Sequence, residues 1–161
     1  MRIVWVKAAQ AAGVKISFGP SGFLESRTAT AAGTAAATST QSPPLLWVVI
    51  DEHALRRPVG GRKVMAEQLD HLAEMAQRPS TLIEVIPLEV GAHEGVNGAF
   101  VIAEFADAPS IVYLETALTG LVVERPEDVS AVTLRYETLK TEALPRAASL
   151  ELLREVAKTW T

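Results

Sequence analysis

The chain has no cysteine. Disulfide scaffolds, thiolate zinc sites and thiol nucleophiles are excluded with it. It also has no apolar run near the ~20 residues needed to cross a bilayer, so no membrane partner is expected. Met1-Arg2-Ile3-Val4-Trp5-Val6 starts like a secretory leader, but Lys7 ends the apolar run after four residues and Lys15 follows. A leader core needs about 7–15 apolar residues in a row. The expectation is a cytoplasmic protein. An excess of basic charge is missing too, with 15 Lys and Arg against 19 Asp and Glu and a net charge of −4. That argues against broad sequence-independent nucleic-acid binding, which needs a basic footprint to displace counterions. What is present is ordinary for a globular protein, with 48% apolar and 21% charged residues in 161. This is enough for one domain with a real core.

Composition changes near Pro43-Pro44. Residues 28 to 40 contain only Ala, Thr, Gly and Ser. Such side chains bury too little apolar area to offset the backbone entropy lost on ordering. Arg2, Lys7, Lys15 and Arg27 against Glu25 give residues 1–43 a charge of +3, leaving −7 of the net −4 for the rest. Residues 1–43 are expected to form a poorly ordered low-complexity arm, with a short helix near 5–12 and a turn at Phe18-Gly19-Pro20-Ser21-Gly22. Residues 44–161 are expected to form the folded domain.

That domain reads as α+β. Leu46-Trp47-Val48-Val49-Ile50 is a continuous apolar run, as in a strand covered on both faces. A polar turn, Asp51 to Arg57, ends at Pro58. From Arg62 to Gln77, Met65, Leu69, Leu72 and Ala76 share one helical face. Thr81–Ile86 is a second strand, and the strand–helix–strand spacing predicts a parallel crossover. After a loop at 88–97 come strands at Ala99–Phe105, Ser110–Glu115 and Gly120–Glu124. Their short links predict antiparallel neighbours. Arg125-Pro126-Glu127-Asp128 opens a helix whose buried face carries Val129, Val132, Tyr136 and Leu139. A last helix after Pro145 carries Leu150, Leu153, Ala157 and Trp160. The expected order is β-α-β-β-β-β-α-α, a mixed sheet of about five strands packed by three helices.

Two polar clusters stand out. Asp51-Glu52-His53 ends the apolar strand, where α/β sheets place ligands. His93 lies in a glycine-flanked loop with Glu89, Glu94 and Asn97. Convergence of His53 and His93 would suit a metal-assisted hydrolase built on Asp51, Glu52, His53 and His93. No His-Glu-x-x-His spacing or Gly-x-Ser-x-Gly turn supports such chemistry, and Gly91, Gly95 and Gly98 lack the ending of a phosphate loop. In the plainer reading, the acids pair with Arg56 or Arg57 or cap the following turn, and His93 bonds within its loop. Neither a cofactor nor a metal is expected. Arg56, Arg57, Arg62 and Lys63 are the only basic concentration of the folded part. They are a solvated face or, in a further reading, a DNA contact.

In order along the chain, Trp47 through Arg57, Val59-Gly60-Gly61, Met65, Gln68-Leu69 and Leu72 form one group of motifs. Val85-Ile86-Pro87, Gly91-Ala92-His93, Gly95, Gly98 and Phe100 continue it. Val112-Tyr113, Glu115, Leu139 and Ala143-Leu144 close it. Over residues 44–161 this set resembles the C-terminal domain of unknown function found behind an Xre-type helix-turn-helix in actinobacterial regulators, some antitoxin-like or WhiJ-like. The resemblance implies a non-enzymatic regulatory domain that binds a small toxin-like partner protein or its own kind, and reaches DNA only indirectly. It brings no catalytic residues. Asp51, Glu52, His53, Arg56, Arg57, Gly91, His93 and Gly95 are the candidate pocket or partner-binding positions. No helix-turn-helix pattern is recognisable here, and the Ala/Thr tract stands where a charged helical connector is expected.

Overall fold

The computed structural model describes residues 4–9, 14–18, 24–28, 45–115 and 118–161, the first three segments by their backbone alone. In chain order these are β1 (Val4–Ala9), β2 (Val14–Phe18), β3 (Leu24–Thr28), β4 (Leu45–Asp51), α1 (Glu52–Arg56) and α2 (Arg62–Met75). Then follow β5 (Thr81–Ile86), two 3-10 turns (Leu88–Val90 and Glu94–Asn97), β6 (Phe100–Glu104), β7 (Ile111–Glu115), β8 (Gly120–Val123), α3 (Pro126–Glu142) and α4 (Arg146–Trp160). The α+β class is that read from the sequence, and so is the order of elements after residue 44, except that the expected polar turn after β4 is the short helix α1.

The main sheet has six strands in the order β5-β4-β1-β6-β7-β8, and β2 pairs with β3 in a separate two-stranded sheet. As expected, β4 and β5 are parallel and β6, β7 and β8 are successively antiparallel. The strand not anticipated is β1. It lies antiparallel to β4 and parallel to β6, and so joins the two groups into one sheet. The short helix expected near residues 5–12 is therefore corrected to a strand over Val4–Ala9. Lys7, Ala8 and Ala9 favour helix, but Val4, Trp5 and Val6 suit a strand, and pairing on both sides outweighs the weak local preference. The sheet thus draws on both sides of the 43/44 boundary. Of the Ala/Thr tract, residues 29–40 lie outside the described residues, as do residues 19–22 of the expected turn.

Side chains of successive strand residues point to opposite faces, so the apolar run of β4 serves two cores. Val48, Ile50, Ile83, Val85 and Val101 meet α2 and α4 through Leu69, Ala73, Leu153 and Val156. Val49, Ile86, Phe100, Ile102 and Val112 meet α3 through Val129, Tyr136 and Leu139. The result is three layers, α2/α4, sheet and α3.

Long-range polar bonds fix the helices. Arg146 donates from Nη2 to the Ala76 carbonyl at 2.7 Å and also reaches the Arg78 carbonyl, closing the C-terminal end of α2. Trp160 donates from Nε1 to the Leu55 carbonyl at 3.1 Å and packs against the α2/α4 core. The α4 stripe of Leu150, Leu153, Ala157 and Trp160 belongs to this core. The outer edge of β5 is tied at Val85, by the link between α3 and α4 and by α4 itself. Leu144 N–H donates to the Val85 carbonyl, and Val85 N–H donates to the hydroxyl of buried Ser149.

Candidate functional site

The C-terminal end of β4 faces the loop that follows β5. Asp51 is the N-cap of α1, and its Oδ1 accepts from the His53 backbone N–H at 2.8 Å. A residue with extended backbone and a short acceptor side chain does this at a helix start, and the acid also suits the positive end of the helix dipole. The same oxygen takes the His53 ring Nδ1 at 2.9 Å. The other oxygen, Oδ2, takes His93 Nε2 at 3.1 Å. His53 and His93 thus converge on one carboxylate from its two sides.

Their surroundings differ. The His93 side chain is 3% exposed and that of Asp51 7%, whereas that of His53 is 69% exposed. His93 Nδ1 accepts from Gly95 N–H at 3.2 Å. This places the ring proton on Nε2, which donates to Asp51. Both ring nitrogens of His93 are therefore in use. Burial pushes the Asp51 carboxyl up, but the His53 backbone N–H and the two histidine rings more than offset it and hold it below its ordinary value of 3.8.

Glu52 makes a second tie beside the first. Its side chain is 5% exposed, and Oε1 receives Nε and Nη2 of Arg56 one helical turn on. Oε2 accepts from Leu88 N–H at 3.0 Å. Adjacent carboxylates thus hold the two ends of one loop, Glu52 at Leu88 and Asp51 at His93. Between them Gly91 has φ +72°, a conformation that favours glycine. Gly95 is buried under the second 3-10 turn.

Of the eight candidate positions, Asp51, Glu52, His53, Arg56, His93 and Gly95 are brought together by hydrogen bonds, and Gly91 shapes the loop they hold. Arg57 is exposed at the C-cap of α1 and joins none of these bonds. Three of the four basic residues have contacts within the chain. Arg56 is paired with Glu52, Arg62 donates to the Thr159 and Thr161 carbonyls at the end of α4, and Lys63 lies 3.8 Å from Glu67.

Against the outer side of the loop, α3 leaves a cleft of about 390 Å³. Ala92, His93, Glu94 and Asn97 line one wall, with Thr138, Leu139 and Glu142 on the other. As site residues, Thr138, Glu142 and Leu88 were missed by sequence reading. The Leu88 contact is made by a backbone N–H, which has no sequence signature, and the placing of α3 against this loop follows only from the tertiary fold. Among the described residues, no three His, Cys, Asp or Glu side chains are grouped so as to hold a metal ion. No described helix is long and apolar enough to cross a membrane.

Beneath α3, buried polar groups fare differently. Tyr136 is 1% exposed and its hydroxyl has no hydrogen-bond partner among the described residues. Burial, then the nearby carboxylates of Glu84, Glu137 and Glu104, push the phenol above its ordinary range. Burial also pushes the Glu84 carboxyl up, only partly offset by Lys140.

No curated protein and no solved structure matches the chain. A family's sequence model does, over residues 19–155, and so includes part of the stretch before residue 44. The chain belongs to that family, described as Domain of unknown function (DUF5753).

Proposed function

We propose that the chain is a non-enzymatic, cytoplasmic protein-interaction domain of an antitoxin-like transcriptional regulator of the Xre type, and that it holds a small toxin-like partner protein. The observation that carries this reading is the double carboxylate tie. Asp51 and Glu52 use all four carboxylate oxygens within the chain, and His93 uses both ring nitrogens. Polar residues that a reaction would need free are spent on holding a loop. A rigid scaffold that fixes an exposed loop is how many folds present a binding surface. Here the loop displays Leu88, Glu94, Val96 and Asn97 to solvent. The engagement of Arg56, Arg62 and Lys63 within the chain supports contact with DNA only through other parts of a regulator.

The alternative, a metal-assisted hydrolase using Asp51, Glu52, His53 and His93, is favoured by the convergence of both histidines on Asp51. To hold one metal, His93 would have to give up either Asp51 or Gly95. The test is affinity capture of the tagged chain from lysate of its native host, then titration calorimetry with any small protein that co-purifies, alongside ester and phosphoester hydrolysis assays with zinc, manganese and magnesium. A stoichiometric complex without hydrolysis is the expected result. Absence of a complex, together with metal-dependent turnover lost in Asp51→Asn, would overturn the proposal.

A further inference from the structure

We propose that the chain pairs with a second copy of itself along the outer edge of β8, antiparallel, about a two-fold axis through Val122. The proposal is independent of the partner-binding reading above.

The two edges of the sheet are treated differently. That of β5 is tied at Val85 by Leu144 and Ser149 and packs against α4. At the other end of the strand order, β8 pairs with β7 alone among the described strands, and its further bond is local, from the Thr119 hydroxyl to the Gly120 carbonyl at 3.3 Å. Edge strands are ordinarily guarded by lysine, proline, a bulge or a cover, because their free N–H and C=O groups recruit other strands. Gly120-Leu121-Val122-Val123 has none of these guards and pairs in continuous register with β7. Leu121 and Val122, which point to opposite faces, are 51% and 52% exposed. One added strand would therefore cover apolar surface on both faces.

The sequence of β8 selects a second β8 as the occupant. Antiparallel pairing about a two-fold axis normal to the sheet keeps each face on its own side, so opposed residues must share a face. With Val122 opposite its own copy, Leu121 stands opposite Val123 on the α3 side, and Gly120 stands opposite Glu124. Every side chain of the strand except at glycine then meets an apolar partner on its own face. Gly120 is held under the ring of Tyr113, where an added Cβ would collide with the phenol, so a side chain of the same sheet already covers that position. Four residues rise only about 14 Å along the strand. Such an edge supplies less than the ~800 Å² per partner of a standard stable interface, so the dimer is weak and depends on concentration.

The absence of native cysteine makes a clean test possible, because V122C introduces a single thiol. K158C is the control, on exposed Lys158 of α4, which packs at the opposite, β5, side of the sheet. Under mild oxidation V122C is expected to form disulfide-linked dimers several-fold faster than K158C at equal concentration. Sedimentation velocity of the unmodified chain, in a series reaching millimolar, is expected to show a monomer–dimer equilibrium that V122K shifts to monomer, by juxtaposing two ammonium groups. Circular dichroism checks that V122K is folded, and if it is not, the cross-linking rates decide. Equal cross-linking of V122C and K158C, or a dimer that folded V122K leaves intact, would overturn the proposal.

Discussion

The domain buries polar groups in two places and treats them in opposite ways. At the end of β4, Asp51 and Glu52 are nearly solvent-free, and each carboxylate oxygen has a donor. Under α3, the Tyr136 hydroxyl is equally buried and has no partner among the described residues, and Glu84 sits where burial outweighs the nearby Lys140 cation. The direction of titration follows, with Asp51 held low and Glu84 pushed high. Burial acts the same way on both, and the number of donors decides the sign. The first region is organised around its polar groups, whereas the second is an apolar core that contains polar atoms.

The largest effect should come from breaking the organised region. Asp51→Ala removes the cap of α1 and leaves the buried His93 N–H unpaired, and should cost about 2–4 kcal/mol in urea unfolding. Asp51→Asn keeps a capping oxygen but turns an amide toward His93. It should cost roughly half as much and separate the cap from the loop tie. Glu52→Ala strands Leu88 N–H, while half-exposed Arg56 can turn to water. A loss of about 1–2 kcal/mol is expected, with faster amide exchange at Leu88.

The opposite sign is expected beneath α3. Tyr136→Phe deletes a hydroxyl that has no partner, and should raise stability by up to about 1 kcal/mol. A decrease would mean that the hydroxyl is satisfied in solution and would remove the contrast between the regions.

The smallest and most discriminating effect is in pH dependence. Asp51, with a folded pKa below 3.8, stabilises the fold above that ordinary value, and its contribution is lost as pH falls through the lower folded value. Glu84 has a folded pKa above its ordinary 4.5, so its contribution is full below 4.5 and is lost as pH rises through the raised value. Chemical denaturation from neutral to acid pH should show Asp51→Asn removing part of the loss at the acid end. Glu84→Gln should flatten the part of the profile where its carboxyl titrates. If both variants keep the parent profile, neither region governs acid stability.

Much of the architecture was legible because hydrophobic period is a local property. Leu46 to Ile50, the α2 face of Met65 and Leu69, and the α4 stripe of Leu153 and Ala157 all appear where the pattern places them. The plainer reading of the acids also holds, since Asp51 caps the turn and Glu52 pairs with Arg56. Sequence could name Asp51, Glu52 and His93 but not tie them to one loop, because the contacts span 36 and 42 residues and one is made by a backbone N–H. Strand β1 escaped because six residues of mixed preference carry little signal until they have neighbours.

The sequence by itself determined the alternation that sends Val48 and Val49 to different cores, the cap at Asp51, the stop at Pro58 and the start of a helix after Pro145. These depend on residues close in the chain, whose geometry the backbone fixes. Tertiary structure alone decided that β1 lies between β4 and β6, that two histidines share one carboxylate, and that one sheet edge is tied to α4 while the other pairs with no further described strand. Each of these depends on which distant segments meet, and that choice is made by the burial of the whole sheet between its helices.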